Sequence, residues 1–211
     1  RVLFRSPGSD AGQPLSMQII RPSRNELASY QSALTQGYSP DNVRGAVAAR
    51  ELLARIESDA DAFLASLEDR EAQGPLVTLP DGAQVKRIPG FHRWMWDGEF
   101  CGSISLRWTP GGADLPPHVL GHIGYSVVPW KRRLGYATRA LAQMLPLARE
   151  VGLPHVDITT DPDNVASQRV IEANGGLLVE TFTKPASFGS TPGLRYRIVL
   201  NTGDRPTAVG R

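Results

Sequence analysis

The sequence predicts a mixed α/β domain, a central β-sheet of about six to seven strands with helices on both faces. Three observations carry this. The second half alternates strand, helix, strand, helix, strand, strand in its apolar patterning. Asp81-Gly82 and Asp97-Gly98 each separate two runs of strand-like residues, the signature of hairpin turns. Between Gly45 and Leu67 the apolar period becomes helical, through Val47, Leu52, Ile56, Ala60, Phe63 and Leu67. Hairpins give antiparallel pairs. A strand–helix–strand passage gives a parallel pair with a right-handed crossover, so the sheet is mixed.

Each element follows in order. Met17–Arg21 reads as a short strand, and Ser23 with Glu26 forms a capping-box pattern that opens a helix to about Ala33. A turn, GYSPDN, leads to the helix of Gly45–Leu67. LVTLPDGAQVKRI is a small hairpin and FHRWMWDGEFCGSISLRW a longer one. A Gly/Pro-rich loop precedes the strand LGHIGYSVV. A helix runs from about Gly135 to Val151 with Leu141, Leu145 and Ala148 on one face, and Pro146 is expected to kink or shorten it. HVDITT is a buried strand, VASQRVIEAN a short helix stopped by Gly175-Gly176, and LLVETFT and LRYRIVL the last strands. Residues 17–200 are expected to form one domain, with a helical part over 23–70 and a core over 91–200. Residues 1–16 are expected to be a non-native or disordered leader, and 201–211 a flexible tail.

Composition narrows the function classes. A net charge of +2 does not argue for a nucleic-acid partner. No apolar run reaches the roughly 18 residues of a membrane span. The single cysteine, Cys101, allows no internal disulfide and fits a cytoplasmic setting. No His/Cys/Asp grouping has metal-ligand spacing, so no metal is expected.

The stretch that points to chemistry is VVPWKRRLGYATRAL, residues 127–141. A strand ends, three cations follow, and a glycine opens a helix. The first N–H groups of a helix have no internal partner, and with the helix dipole they suit an anion. Gly135 and Ala137 let a ligand approach the backbone, and Lys131, Arg132 and Arg133 add charge. The turn fits a phosphate or pyrophosphate; a solvated basic turn is the other reading. The nucleotide loop GxxxxGK[ST] and the dinucleotide fingerprint GxGxxG are both absent.

Arg132-x-x-Gly135-x-Ala137 resembles the (Arg/Gln)-x-x-Gly-x-(Gly/Ala) signature of the GNAT superfamily of N-acetyltransferases, and it follows a strand, IGYSVVP, as the signature does in that family. Farther on, Asn164-x-x-Ser167 opens a short helix closed by glycine, which resembles the family's second motif. The resemblance covers about Phe91 to Leu200. It implies a GNAT-type acyl-CoA N-acyltransferase fold with acetyl-CoA as co-substrate and an amine acceptor, in a monomer or a homodimer. By the resemblance, the N–H groups of Arg133, Leu134, Gly135, Tyr136, Ala137 and Thr138 cradle the pyrophosphate, with Arg132 beside them. Val127 and Val128 pair with the pantetheine amides, Asn164 bonds the pantetheine arm, and Ser167 faces the cofactor or caps its helix. Helix capping is also the plain reading of Asn164.

The acid–base residues depart from the pattern. The central strand holds no acid, and His122 lies nearest the position of the family's glutamate base; a His packed between strands is the rival account. The position of the family's tyrosine acid is Ile171, so Tyr125 stands as a substitute, although alternation puts it on the opposite face from His122. The aromatic run Phe91–Trp96 fits an acceptor-pocket wall or a packed hairpin. Cys101 reads as an inert core thiol. Direct attack by the acceptor is therefore expected. A non-catalytic CoA-binding module and an anion-binding domain remain as other classes.

Overall fold

The computed structural model describes residues 16–41, 44–79 and 81–200. The expected tail, and the expected leader up to residue 15, lie outside them. The strands are β1 (Gln18–Ile20), β2 (Glu68–Asp69), β3 (Val77–Thr78), β4 (Gln84–Val85), β5 (Gly90–Trp96), β6 (Phe100–Arg107), β7 (Ile123–Val127), β8 (His155–Thr160), β9 (Leu177–Thr183) and β10 (Pro192–Val199). The helices are α1 (Arg24–Thr35), α2 (Gly45–Ser58), α3 (Ala60–Ser66), α4 (Tyr136–Glu150) and α5 (Val165–Glu172).

Local chemistry explains most of these boundaries. Ser23 caps α1 by accepting from the Asn25 N–H and donating to the Glu26 carboxylate at 2.5 Å. The single helix expected over Gly45–Leu67 is two. Asp59 is extended (φ −158°, ψ 94°) and its carboxylate accepts from the Ala62 N–H at 2.9 Å, so it ends α2 and caps α3. Helix α4 continues through Pro146 to Glu150, burying Ala140, Leu141, Met144 and Ala148. The apolar face of α4 outweighs the one backbone hydrogen bond that proline removes.

The main strands form two antiparallel sheets. One has the order β1-β5-β6-β7, with β2 also on β5; the other is β8-β10-β9, and β3-β4 is a separate hairpin. The expected parallel step falls between β7 and β8, and no ladder joins these two strands. They touch at one end only, where the His122 N–H donates to the Asp157 carbonyl at 2.7 Å. The sheet is thus split there into two leaves.

Two apolar clusters cover the two faces. Met95, Ile104, Leu106 and Ile123 pack with Leu141, Met144, Val156, Ile158 and Ile171 beneath α4 and α5. On the other face Trp94 and Phe100 pack with Leu27, Tyr30, Tyr38, Ile56 and Phe63 of the first three helices and their connections. The side chains of β6 alternate accordingly: Ile104 and Leu106 enter the first cluster, while Ser103, Ser105 and Arg107 turn to the second face. Among the described residues, no helix is long and apolar enough to cross a membrane.

Candidate active site

The basic turn lies where the two leaves part. A 3-10 turn, Pro129–Lys131, follows β7, and α4 starts at Tyr136. Arg133 (φ 63°) and Gly135 (φ 75°) are both left-handed. Among the described residues, none of the N–H groups from Arg133 to Thr138 donates to a protein acceptor. A run of free N–H groups with left-handed residues in it curls into an anion-binding concavity at the positive end of α4. Gly135 is required by its backbone angle and not by crowding, since a Cβ there would meet nothing within 4 Å.

The cations of the turn do not act alike. Lys131 donates to Asp97 at 2.7 and 2.8 Å and reaches Glu99 at 2.7 Å. It therefore anchors the turn to the β5–β6 hairpin and is not the free charge at the mouth that the sequence led us to expect. Asp97 also accepts from the Tyr136 hydroxyl at 2.5 Å. Burial alone would raise the Asp97 carboxyl; bonds from Lys131, Tyr136 and Cys101 outweigh it and hold it at about 2. Arg132 folds back to within 3.5 Å of the Val127 carbonyl. Arg139 donates to the Leu134 carbonyl at 2.8 Å and so supports the loop from α4.

The expectations for Val127 and Val128 separate. The Val128 N–H donates to the Cys101 carbonyl at 2.9 Å, and its carbonyl accepts from the Lys131 N–H at 3.0 Å. Val128 is also fully buried, so it has no backbone group to offer a ligand, which corrects the sequence reading. Antiparallel alternation then turns the backbone groups of Ile123, Tyr125 and Val127 away from β6, toward the gap before β8. Val127 therefore keeps an outward-facing edge.

The gap is a cavity of about 230 Å³ lined by Ile123, Gly124 and Tyr125 on one side and Ile158, Thr159 and Thr160 on the other, with Asn164 and Ser167 above. Asn164 caps α5, its carbonyl accepting from the Ser167 N–H at 3.1 Å, which leaves its amide N–H groups for a ligand. The Tyr125 hydroxyl shares a 2.9 Å hydrogen bond with Ser167 Oγ. Burial pushes the Tyr125 phenol up to about 12, against the pull of that bond. The hydroxyl is thus protonated near neutrality and can donate.

His122 is not an exposed base. Its side chain is fully buried, and Nδ1 accepts from the Asp157 N–H at 2.9 Å. The ring occupies the N–H that a strand would need to zip β8 onto β7, so it props the leaves apart. Burial pushes its pKa down, more than Asp157 raises it. Gly121 gives the same junction its closeness, for a Cβ there would come within 3.0 Å of the Asp157 carbonyl. Ile171, at the place of the family's tyrosine, is fully buried in the core. Cys101 is buried as well, and burial, then Asp97, push its thiol up to about 12.

A larger cavity, about 690 Å³, opens on the face of Ser105 and Arg107. It shares Leu120, Ile123, Gly124 and Thr159 with the gap, so the two spaces meet there. The β3–β4 hairpin and the loop at His118 help wall it. His92 on β5 stands in this cavity. Its side chain is exposed to the cavity, with Nδ1 3.4 Å from the Leu67 carbonyl. Of the aromatic run, Phe91 and His92 reach this wall, whereas Trp94 belongs to the core. The sequence reading missed His92 and Arg107. Strand alternation, which places His92 opposite Phe91 and Arg107 opposite Leu106, is the signal that could have found them.

The family profile described as "Acetyltransferase (GNAT) domain" matches residues 49–176, more than half of the chain. No curated protein matches. Among solved structures, the chain is similar to the microcin C7 self-immunity acetyltransferase MccE in complex with acetyl-CoA and AMP, at 12% identity over 87% of this chain and 92% of that one, with a TM-score of 0.52. It is similar to RimL, the ribosomal L7/L12 α-N-protein acetyltransferase in complex with CoA, at 12% identity over 89% and 97%, with a TM-score of 0.56. A GNAT-family acetyltransferase from Bacillus anthracis matches at 16% identity over 89% and 96%, with a TM-score of 0.53. With the profile covering this much of the sequence, and a split sheet flanked by an open N–H turn, the chain belongs to the GNAT acetyltransferase family.

Proposed function

We propose that the protein transfers the acetyl group of acetyl-CoA directly to the amine of an acceptor held in the larger cavity. The observation that carries this is the run of free N–H groups from Arg133 to Thr138, lying next to an open β7 edge and a gap between the leaves. The turn would hold the pyrophosphate. Val127 would bond the pantetheine arm as an added strand does, and the amide of Asn164 would donate to it. The solved neighbours MccE and RimL carry acetyl-CoA and CoA, which supports the same ligand here.

The thioester then lies where the gap and the larger cavity meet, near Gly124. The amine nitrogen attacks the thioester carbon from the cavity side. The N–C bond forms, the C–S bond breaks, and the proton lost by the amine is balanced by the one gained at the CoA sulfur. An amine with a usual pKa of about 10 must enter neutral. The cavity is lined by Asp41 and by the Arg87–Asp69 pair as well as by Arg107 and Lys86, and the last two disfavour an ammonium beside them. His92, exposed on the cavity wall, is the candidate for passing that proton on. Tyr125 is the candidate proton donor to the leaving sulfur, and Ser167 positions it. His122 acts as a structural prop.

The test is a thiol-release assay with acetyl-CoA and a broad amine panel, alongside calorimetry with CoA. Binding with turnover of at least one amine supports the reading. Binding without turnover of any amine favours a CoA-sensing module, and absence of CoA binding by folded protein refutes the assignment of the turn.

A further inference from the structure

Arg107 is a part-buried cation without an acidic partner. Its Nε donates to the Gly121 carbonyl at 2.8 Å, and among the described residues no carboxylate forms an ion pair with it. The other arginine on the cavity wall, Arg87, is spoken for by Asp69 at 3.8 Å, and Asp69 lines the same cavity. A guanidinium withdrawn from water without a counter-charge is costly, and that cost is removed when a ligand supplies the anion. The planar fork of arginine suits two oxygens of one acidic group.

Its position is specific. A Cβ at Gly124 would lie 3.1 Å from Nη2, so the guanidinium rests against the bare β7 backbone at the point where the two cavities join. A side chain at 124 would press on the guanidinium and push it back by a few tenths of an ångström. Lys86 adds a second cation on the cavity wall, with no ion pair among the described residues. The anion receptor is therefore beside the reacting centre, not at the far end of the pocket. We infer that the acceptor carries an acidic group within a few bonds of its reacting amine, with Arg107 as its receptor: an α-amino acid or a close analogue with a carboxylate or phosphonate beside the amine. This rests on the acetyltransferase reading above.

The experiment compares matched acceptors. The standard L-amino acids, their primary amides and 1-aminoethylphosphonic acid are tested for thiol release with acetyl-CoA. The same compounds are titrated calorimetrically into CoA-loaded protein. At least one free acid should exceed its amide by about tenfold or more in kcat/KM, the effect of one charge-assisted hydrogen bond. The phosphonic acid tells whether a carboxylate or any oxyanion suffices. Arg107→Gln should collapse the acid-over-amide preference, and Gly124→Ala, which crowds the guanidinium without removing its charge, should reduce it. Melting temperature and CoA affinity, measured on the same variants, tell a misfolded protein from an altered pocket. Amides that match or exceed the acids in both turnover and binding overturn the inference. So does turnover confined to amines with no acidic group, which leaves acetyl transfer itself intact. Equal loss for acids and amides in Arg107→Gln would also overturn it and assign Arg107 to the thioester oxygen. Failure of CoA to bind strikes the underlying reading instead.

Discussion

Asp97→Asn is the substitution whose effect can be worked most fully from the structure. The carboxylate joins the turn between β5 and β6 to Lys131 and to Tyr136, the first residue of α4. Both Asp97 and Lys131 are 13% exposed in their side chains, so solvent screens the pair only weakly. The carboxyl is held at about 2 against an ordinary 3.8. At 1.36 kcal/mol per unit, this corresponds to roughly 2 kcal/mol of stability. Because the folded-state pKa is the lower one, the contribution is present above about pH 3.8 and is lost as the pH falls through about 2. Asparagine keeps the shape and removes the charge, and Glu99 remains as a partner for Lys131. Urea denaturation should therefore place Asp97→Asn about 2 kcal/mol below the parent at pH 7, and the difference should shrink toward zero between pH 4 and 2. Calorimetry at pH 7 should show weaker CoA binding, since the loop has lost its tether to the hairpin. A stability difference that stays constant from pH 7 to 2.5, or one below about 0.5 kcal/mol at pH 7, would refute the reasoning.

Three further outcomes are expected. Gly135→Glu forces a side chain into a left-handed backbone, at a cost of about 1–3 kcal/mol, and places a carboxylate beside the anion cradle; calorimetry should find CoA binding lost in protein that still melts cooperatively. His122→Ala leaves the Asp157 N–H buried without its acceptor and should cost about 1–3 kcal/mol, while His122→Asn restores an acceptor and part of that stability; turnover per folded molecule should be largely kept. The His122 pKa is depressed by burial, so its stabilising effect is present above the ordinary value of 6.5 and declines as the pH falls below it. Tyr125→Phe removes the hydroxyl that meets Ser167; kcat for acetyl transfer should fall about 10²–10⁴-fold if it protonates the sulfur, with CoA affinity little changed, and a normal kcat would exclude that role.

What the sequence by itself determined about this protein is local. Turn residues, caps and apolar period specify the strands, most helices and the turn at Gly135, because each depends on neighbours a few residues away. Arg132-x-x-Gly135-x-Ala137 and Asn164-x-x-Ser167 were legible for the same reason: a left-handed residue opening α4 and a cap on α5 are set by residues a few positions apart. Asp59 shows the limit even at short range, where one carboxylate capping α3 outweighed a continuous helical pattern. What only the tertiary structure decided depends on pairs far apart in sequence. His122 became a prop because Asp157 offers it an N–H across the junction of the leaves. Lys131 was drawn to Asp97, and the Val128 N–H to the Cys101 carbonyl. Arg107 is a cation facing a cavity only because Gly121 and Gly124 let it lie across the end of β7. The charge and accessibility of a side chain follow from which distant groups fold against it, and no spacing along the chain encodes that.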